Sequence, residues 1–91
     1  MAFILEPTPA FARKLKKLTT KNHLLIPIIT LRLKLLCQNP KNPVLKSHKV
    51  LDNFSSSITG DIRIIWRYKD NSNQEIEILQ LIDIGGHDEV Y

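Results

Sequence analysis

Cysteine is nearly absent from this 91-residue sequence, and the single Cys37 leaves no internal disulfide to staple the chain. Long apolar runs are missing too, since nothing approaches the roughly 20 residues that span a bilayer as a helix. There is no positively charged N-region followed by an apolar stretch and a cleavage site. These lacks together predict a protein of the reducing cytosol, cytoplasmic and without a membrane partner. No glycine-rich phosphate loop, CxxC pair or HExxH occurs, so nucleotide-binding and zinc-dependent readings lose their usual support, and neither metal nor cofactor is expected. The length leaves no room for a second domain, and residues 1–91 read as one domain with a modest core.

What is present in excess is positive charge. Thirteen Lys and Arg against nine Asp and Glu give +4, which favours a polyanionic partner. Much of this charge lies in the first helix and in positions 41–49 and 63–69.

The order of elements is legible from periodicity. Phe3, Ile4 and Leu5 form a short apolar run suited to a strand before Pro7. Thr8 then Pro9 has the form of an N-cap followed by proline at the first helical position. Phe11, Leu15 and Leu18 make one apolar stripe, with Arg13, Lys14, Lys16 and Lys17 on the other faces. A second helix starts near Leu25, holds Pro27 in its first turns and closes at Gln38, Asn39, Pro40, so the two helices predict a hairpin. Residues 39–49 read as a surface loop. Strands are expected at 54–59 and 62–68, joined through Gly60 and Asp61, and at 75–84 after a turn at 70–73. In the last strand Ile76, Ile78, Ile82 and Ile84 are expected on one face, with Leu79, Leu81 and Asp83 opposite. The whole predicts an α+β fold with an N-terminal strand, a two-helix hairpin, then an antiparallel sheet packed on the helices.

A distributed polar set remains: His48 and Lys49 before the first hairpin, Asp61 and Arg63 at the start of the next strand, Arg67 on the same face as Arg63, and His87 with Tyr91 at the end. Antiparallel pairing would let these converge on the helix-free face. Such a set suits metal-independent RNA cleavage, in which the ribose 2′-hydroxyl attacks the neighbouring phosphate. A base takes its proton, an acid protonates the leaving 5′-oxygen, and positive charge stabilises the phosphorane. Imidazole, with an ordinary pKa near ~6.5, serves either proton role at neutral pH. Arginine meets phosphate oxygens through a planar fork that lysine reproduces only as a point charge. Asp61 could orient an imidazole, and Tyr91 could stack on a base. Each residue also has an ordinary reading: His48 and His23 as surface histidines, Arg63 and Arg67 as a solvated sheet face, Asp61 as a turn residue, Trp66 and Cys37 as core.

Residues 78–91, Ile-Leu-Gln-Leu-Ile-Asp-Ile-Gly-Gly-His-Asp-Glu-Val-Tyr, resemble the C-terminal signature of type II toxins of the RelE/ParE superfamily, where a strand ends in a Gly-Thr-His-Asp-Glu-Val-Tyr-like tail. Leu45–Leu51, with His48 at its centre, is similar to the segment in which a histidine precedes the family's sheet. Gly60–Trp66 is similar to its Asp/Arg-Ile-Ile-Tyr strand. Within the superfamily the pattern is most similar to the YafQ-like branch of mRNA interferases. The resemblance implies a RelE-like fold, with His48, Asp61 and His87 as catalytic residues and Lys46, Lys49, Arg63, Arg67 and Tyr91 as RNA and phosphate contacts. It implies a ribosome-dependent endoribonuclease that cuts mRNA in the A site and is neutralised by a cognate antitoxin in a hetero-oligomer. Gly86 stands where threonine is usual, and 54–59 holds no match for the branch's strand histidine. The competing expectation is a ParE-like inhibitor that poisons DNA gyrase by protein contact alone, a reading that gives the two histidines no task.

Overall fold

Thr8 and Pro9 start the first helix as their chemistry dictates. Thr8 is extended (φ −80°, ψ 160°), its hydroxyl accepts from the Phe11 N–H, and Pro9 occupies a position where no N–H is needed. The computed structural model describes residues 3–69 and 76–86. In it helix α1 runs Pro9–Lys21 and helix α2 Leu25–Gln38, with Pro27 in the first turn of α2. Phe11 is buried, and Leu15 and Leu18 pack beside it against the core. The far end of α2 is fastened to the start of the chain: the Phe3 N–H donates to the Cys37 carbonyl (2.7 Å) and the Cys37 thiol donates back to the Phe3 carbonyl (2.8 Å).

Five strands follow the order β1-β5-β4-β3-β2, with β1 Ile4–Pro7, β2 His48–Val50, β3 Asn53–Ser57, β4 Ile62–Lys69 and β5 Ile78–Gly86. The expected α+β layout is present, and two details differ. The sheet is mixed, because β1 pairs parallel with β5 while the other neighbours are antiparallel. A parallel pair needs a long crossover, and the chain between β1 and β5 supplies it. The segment expected as loop also contains a strand, β2, preceded by a short 3-10 turn at Pro43–Leu45.

The phase of β5 departs from simple alternation. Ile65 pairs with Asp83 and the next residue, Trp66, with Leu81, so Ile82 is an extra residue on β5. A bulge of this kind shifts every later side chain to the other face. Ile84 therefore joins Leu79 and Leu81 in the core instead of opposing them, and all three are buried with Ile64, Trp66, Phe11 and Leu36.

Inside the helix-covered face, Phe54 stacks on Trp66 (centroids 4.8 Å, 16° between planes) and Tyr68 stands edge-on to both. The Trp66 indole N–H donates to the Ser56 hydroxyl (2.8 Å), which lies 2.6 Å from that of Ser47, and Ser47 donates to the Pro40 carbonyl (2.9 Å). This thread satisfies the polar atoms that burial of Trp66 and Ser56 would otherwise leave costly. It also ties the loop after α2 to the middle of the sheet.

Candidate active site

Arg63 is the best-anchored charged side chain on the helix-free face. It pairs with Ser57 and Gly85 near the start of β4. Its Nε donates to the Ser55 hydroxyl (2.5 Å), and its Nη2 donates to the carbonyls of Lys46 (3.2 Å) and Ser55 (3.3 Å). The same Nη2 reaches His48 Nδ1 at 3.4 Å. Guanidinium nitrogens only donate, so Nδ1 is the accepting nitrogen in this contact and a neutral His48 carries its proton at Nε2. Ser55 is fully buried, which makes the base of the clasp rigid, whereas His48 is exposed. Two non-glycine residues in left-handed backbone bracket the strand that carries His48: Lys46 (φ 47°) and Leu51 (φ 56°). Each such residue costs roughly 1–2 kcal/mol, a strain of the kind that gathers where a side chain has to be aimed. Leu51 is nearly fully exposed, so Leu51→Gly is expected to raise stability by about 1 kcal/mol in urea unfolding through relief of this strain; an unchanged or lower midpoint would show that the turn is not strained.

No family model matches the chain, and no curated protein matches it by sequence. Solved structures do match its fold. YafQ from E. coli strain BL21(DE3) superposes with a TM-score of 0.76 at 19% identity over 98% of either chain. The YoeB/ParE toxin from Agrobacterium tumefaciens gives 0.76 at 15% identity, covering 93% of this chain and 99% of its own. The E. coli DinJ-YafQ toxin-antitoxin complex gives 0.75 at 18% identity, covering 100% of this chain and 99% of the matched one. The chain has the RelE/YafQ-like toxin fold.

In this toxin fold the residues expected to form one site are distributed over three places. His48, Arg63 and the Lys46 backbone come together, although the Lys46 side chain is exposed and only its carbonyl takes part. Asp61 does not join them. His48 lies in the row of Ser55 and Ile65, and Asp61 is four residues before Ile65, about 13 Å along the strand direction. Among the described residues its carboxylate has no hydrogen bond or ion pair. Its N–H donates to the Thr59 hydroxyl, which also accepts from Ile62 and so shapes the β3–β4 turn. Asp61 therefore does not orient His48; it stands one residue from Ile62, the partner of Gly86 at the end of β5. His87 and Tyr91 lie outside the described residues.

Arg67 shares the face of Arg63, but sits at the opposite end of the sheet. Its Nε donates to the Gln80 side chain (2.7 Å), which donates to Glu6, and Glu6 is bridged to Lys69 (2.7 Å). The Lys69 hydrogen bond holds the Glu6 carboxyl below the usual range. This network ties edge strand β1 to the sheet, so Arg67 is held away from Arg63. Lys49 pairs with Phe54 and so belongs to the aromatic side of the sheet, beside a cavity that also takes in Lys41. Strand alternation alone requires this, since adjacent residues 48 and 49 project to opposite faces.

The sequence does not single out Ser55, and it gives the basic face of α1 without its Asp83 partner. Ser55 forms the floor under Arg63, and its signal was only the alternation of 54–59. Lys14, Lys17 and Lys21 line a shallow cavity with Leu18 and Ile84, and Lys14 pairs with Asp83 at 2.7 Å. Their i, i+3, i+7 spacing was readable as a stripe.

Proposed function

We propose that this chain is the toxin of a type II toxin–antitoxin pair and a ribosome-dependent endoribonuclease that cuts mRNA by 2′-hydroxyl attack. The observation that carries the reading is the Arg63 guanidinium held by Ser55 and Lys46 within 3.4 Å of the His48 imidazole. Phosphate oxygens arriving at Arg63 compete for its donors and release His48 Nδ1, whose lone pair then takes the 2′-hydroxyl proton. The guanidinium remains to stabilise the phosphorane. His87, which follows Gly86 in the sequence, supplies the proton for the leaving 5′-oxygen. The lysine stripe of α1 provides a salt-sensitive surface for ribosomal RNA. Ribosome-bound mRNA places the reaction in the cytoplasm.

A cognate antitoxin completes the proposal, by analogy with the toxin–antitoxin complex among the matched structures. Leu24, at the N-cap of α2, and Ile28 and Leu31 within the helix follow helical spacing and are all exposed. Such a stripe is what a partner covers, and we assign it to the antitoxin.

The test is a translation reaction programmed with a defined mRNA, run beside a gyrase supercoiling assay. Cuts within codons, with supercoiling intact, are expected. Unchanged mRNA with blocked supercoiling would overturn the reading in favour of gyrase poisoning.

A further inference from the structure

The cavity beside β2 has no role in the scheme above, although His48 borders both it and Arg63. It is about 600 Å³, within the range of small-ligand sites. Phe54, Trp66 and Tyr68 supply its aromatic wall, and Lys41 and Lys49 stand at its rim. Phe54 is half-buried and Tyr68 about 44% exposed, so the rings offer surface to a ligand. Burial pushes the Tyr68 phenol above its ordinary value, with the Glu77 carboxylate adding to the shift; its hydroxyl therefore stays a donor at neutral pH.

We infer that this cavity is a nucleobase subsite, taking the base next to the scissile phosphate. Three observations lead there. The wall is aromatic, and every nucleobase has a π-face that stacks on such rings. Among the described residues that line it, the charged groups at the rim are ammonium ions and none is a carboxylate, which suits the backbone of a single strand. His48 lies on edge strand β2, bordering the cavity and reaching Arg63 on the other face, so a strand with one phosphate on the guanidinium reaches the cavity by rounding the edge of the sheet. The inference rests on the proposed RNA substrate, and it adds which part of the RNA this chain grips and with what.

The probe is a trinucleotide with 2′-deoxyribose at its cleavable position, followed by fluorescence of Trp66, the one tryptophan in the chain. The trinucleotide is expected to change the emission saturably, while ribose 5-phosphate, which lacks a base, does not. Tyr68→Ala, checked for native far-UV circular dichroism, is expected to weaken binding by about 5- to 100-fold, the worth of one lost stack. Lys49→Glu is expected to weaken it too and to flatten its salt dependence. Equal binding of ribose 5-phosphate, no effect of Tyr68→Ala, or displacement by an acidic peptide as readily as by RNA would overturn the inference. The last outcome would make the cavity a protein-docking groove. Binding of the trinucleotide without cleavage on ribosomes would retain the subsite and reject the proposed nuclease, whereas cleavage that Tyr68→Ala leaves unchanged, with no trinucleotide binding, would do the reverse.

Discussion

His48→Ala is expected to slow single-turnover cleavage of ribosome-bound mRNA by about 10²- to 10⁴-fold, the range that a positioned proton-transfer group contributes. The loss should appear in the rate and not in stability. His48 is exposed on a three-residue edge strand, and surface substitutions of this sort change folding by about 0.5 kcal/mol or less. His48→Gln keeps a hydrogen-bonding amide within reach of Arg63 but no nitrogen that can take up a proton, and is expected to be as inactive as the alanine variant. A glutamine variant with near-parental activity would mean that His48 only positions Arg63. Urea unfolding of both variants separates a chemical defect from a folding one.

The second large effect is expected at Arg63, where rate and stability should both fall. Arg63→Lys retains the charge but cannot bridge the Ser55 hydroxyl and the Lys46 carbonyl while meeting a phosphate, because its ammonium is one point and not a fork. The expected loss is about 10²- to 10³-fold in rate, as for removal of an oriented transition-state donor. Arg63→Ala is expected to cost about 1–3 kcal/mol of stability besides, since Ser55 is fully buried and would lose its charged donor. In the double variant with His48→Ala the rate losses should fall well short of multiplying, because in the proposed scheme the two groups act on one phosphate. Fully multiplying losses would show that they act in separate places.

The contrast between what the sequence disclosed and what it concealed has physical causes. Helix α1 was readable because its signals are local: a threonine cap, a proline at the first position and an i, i+4, i+7 stripe all point the same way. Strand β2 was hidden because its hairpin turns through Leu51 at φ 56°, where turn chemistry would call for glycine or asparagine. The faces of β5 were misassigned because the bulge at Ile82 follows from pairing with β4, which no single-strand pattern records.

The candidate site divides in the same way. That His48 and Arg63 belong together was carried by the resemblance to the toxin superfamily. That Lys49 and Arg67 stand apart follows from strand alternation and from a Gln80–Glu6–Lys69 network whose members lie far apart in sequence. Residue type and the family resemblance both group Asp61 with the histidines, whereas the sheet register sets it beside Ile62, the partner of Gly86 on β5, away from His48.

The chemical step proposed at His48 and Arg63 would leave a signature on its product. If the 2′-hydroxyl is the nucleophile, the upstream fragment ends in a 2′,3′-cyclic phosphate and the downstream fragment begins with a 5′-hydroxyl. Mass spectrometry of mRNA fragments recovered from ribosomes treated with the purified chain reads both ends at once. Those termini, absent with His48→Ala, are the predicted result; a 3′-hydroxyl paired with a 5′-phosphate, or intact mRNA, would contradict the account.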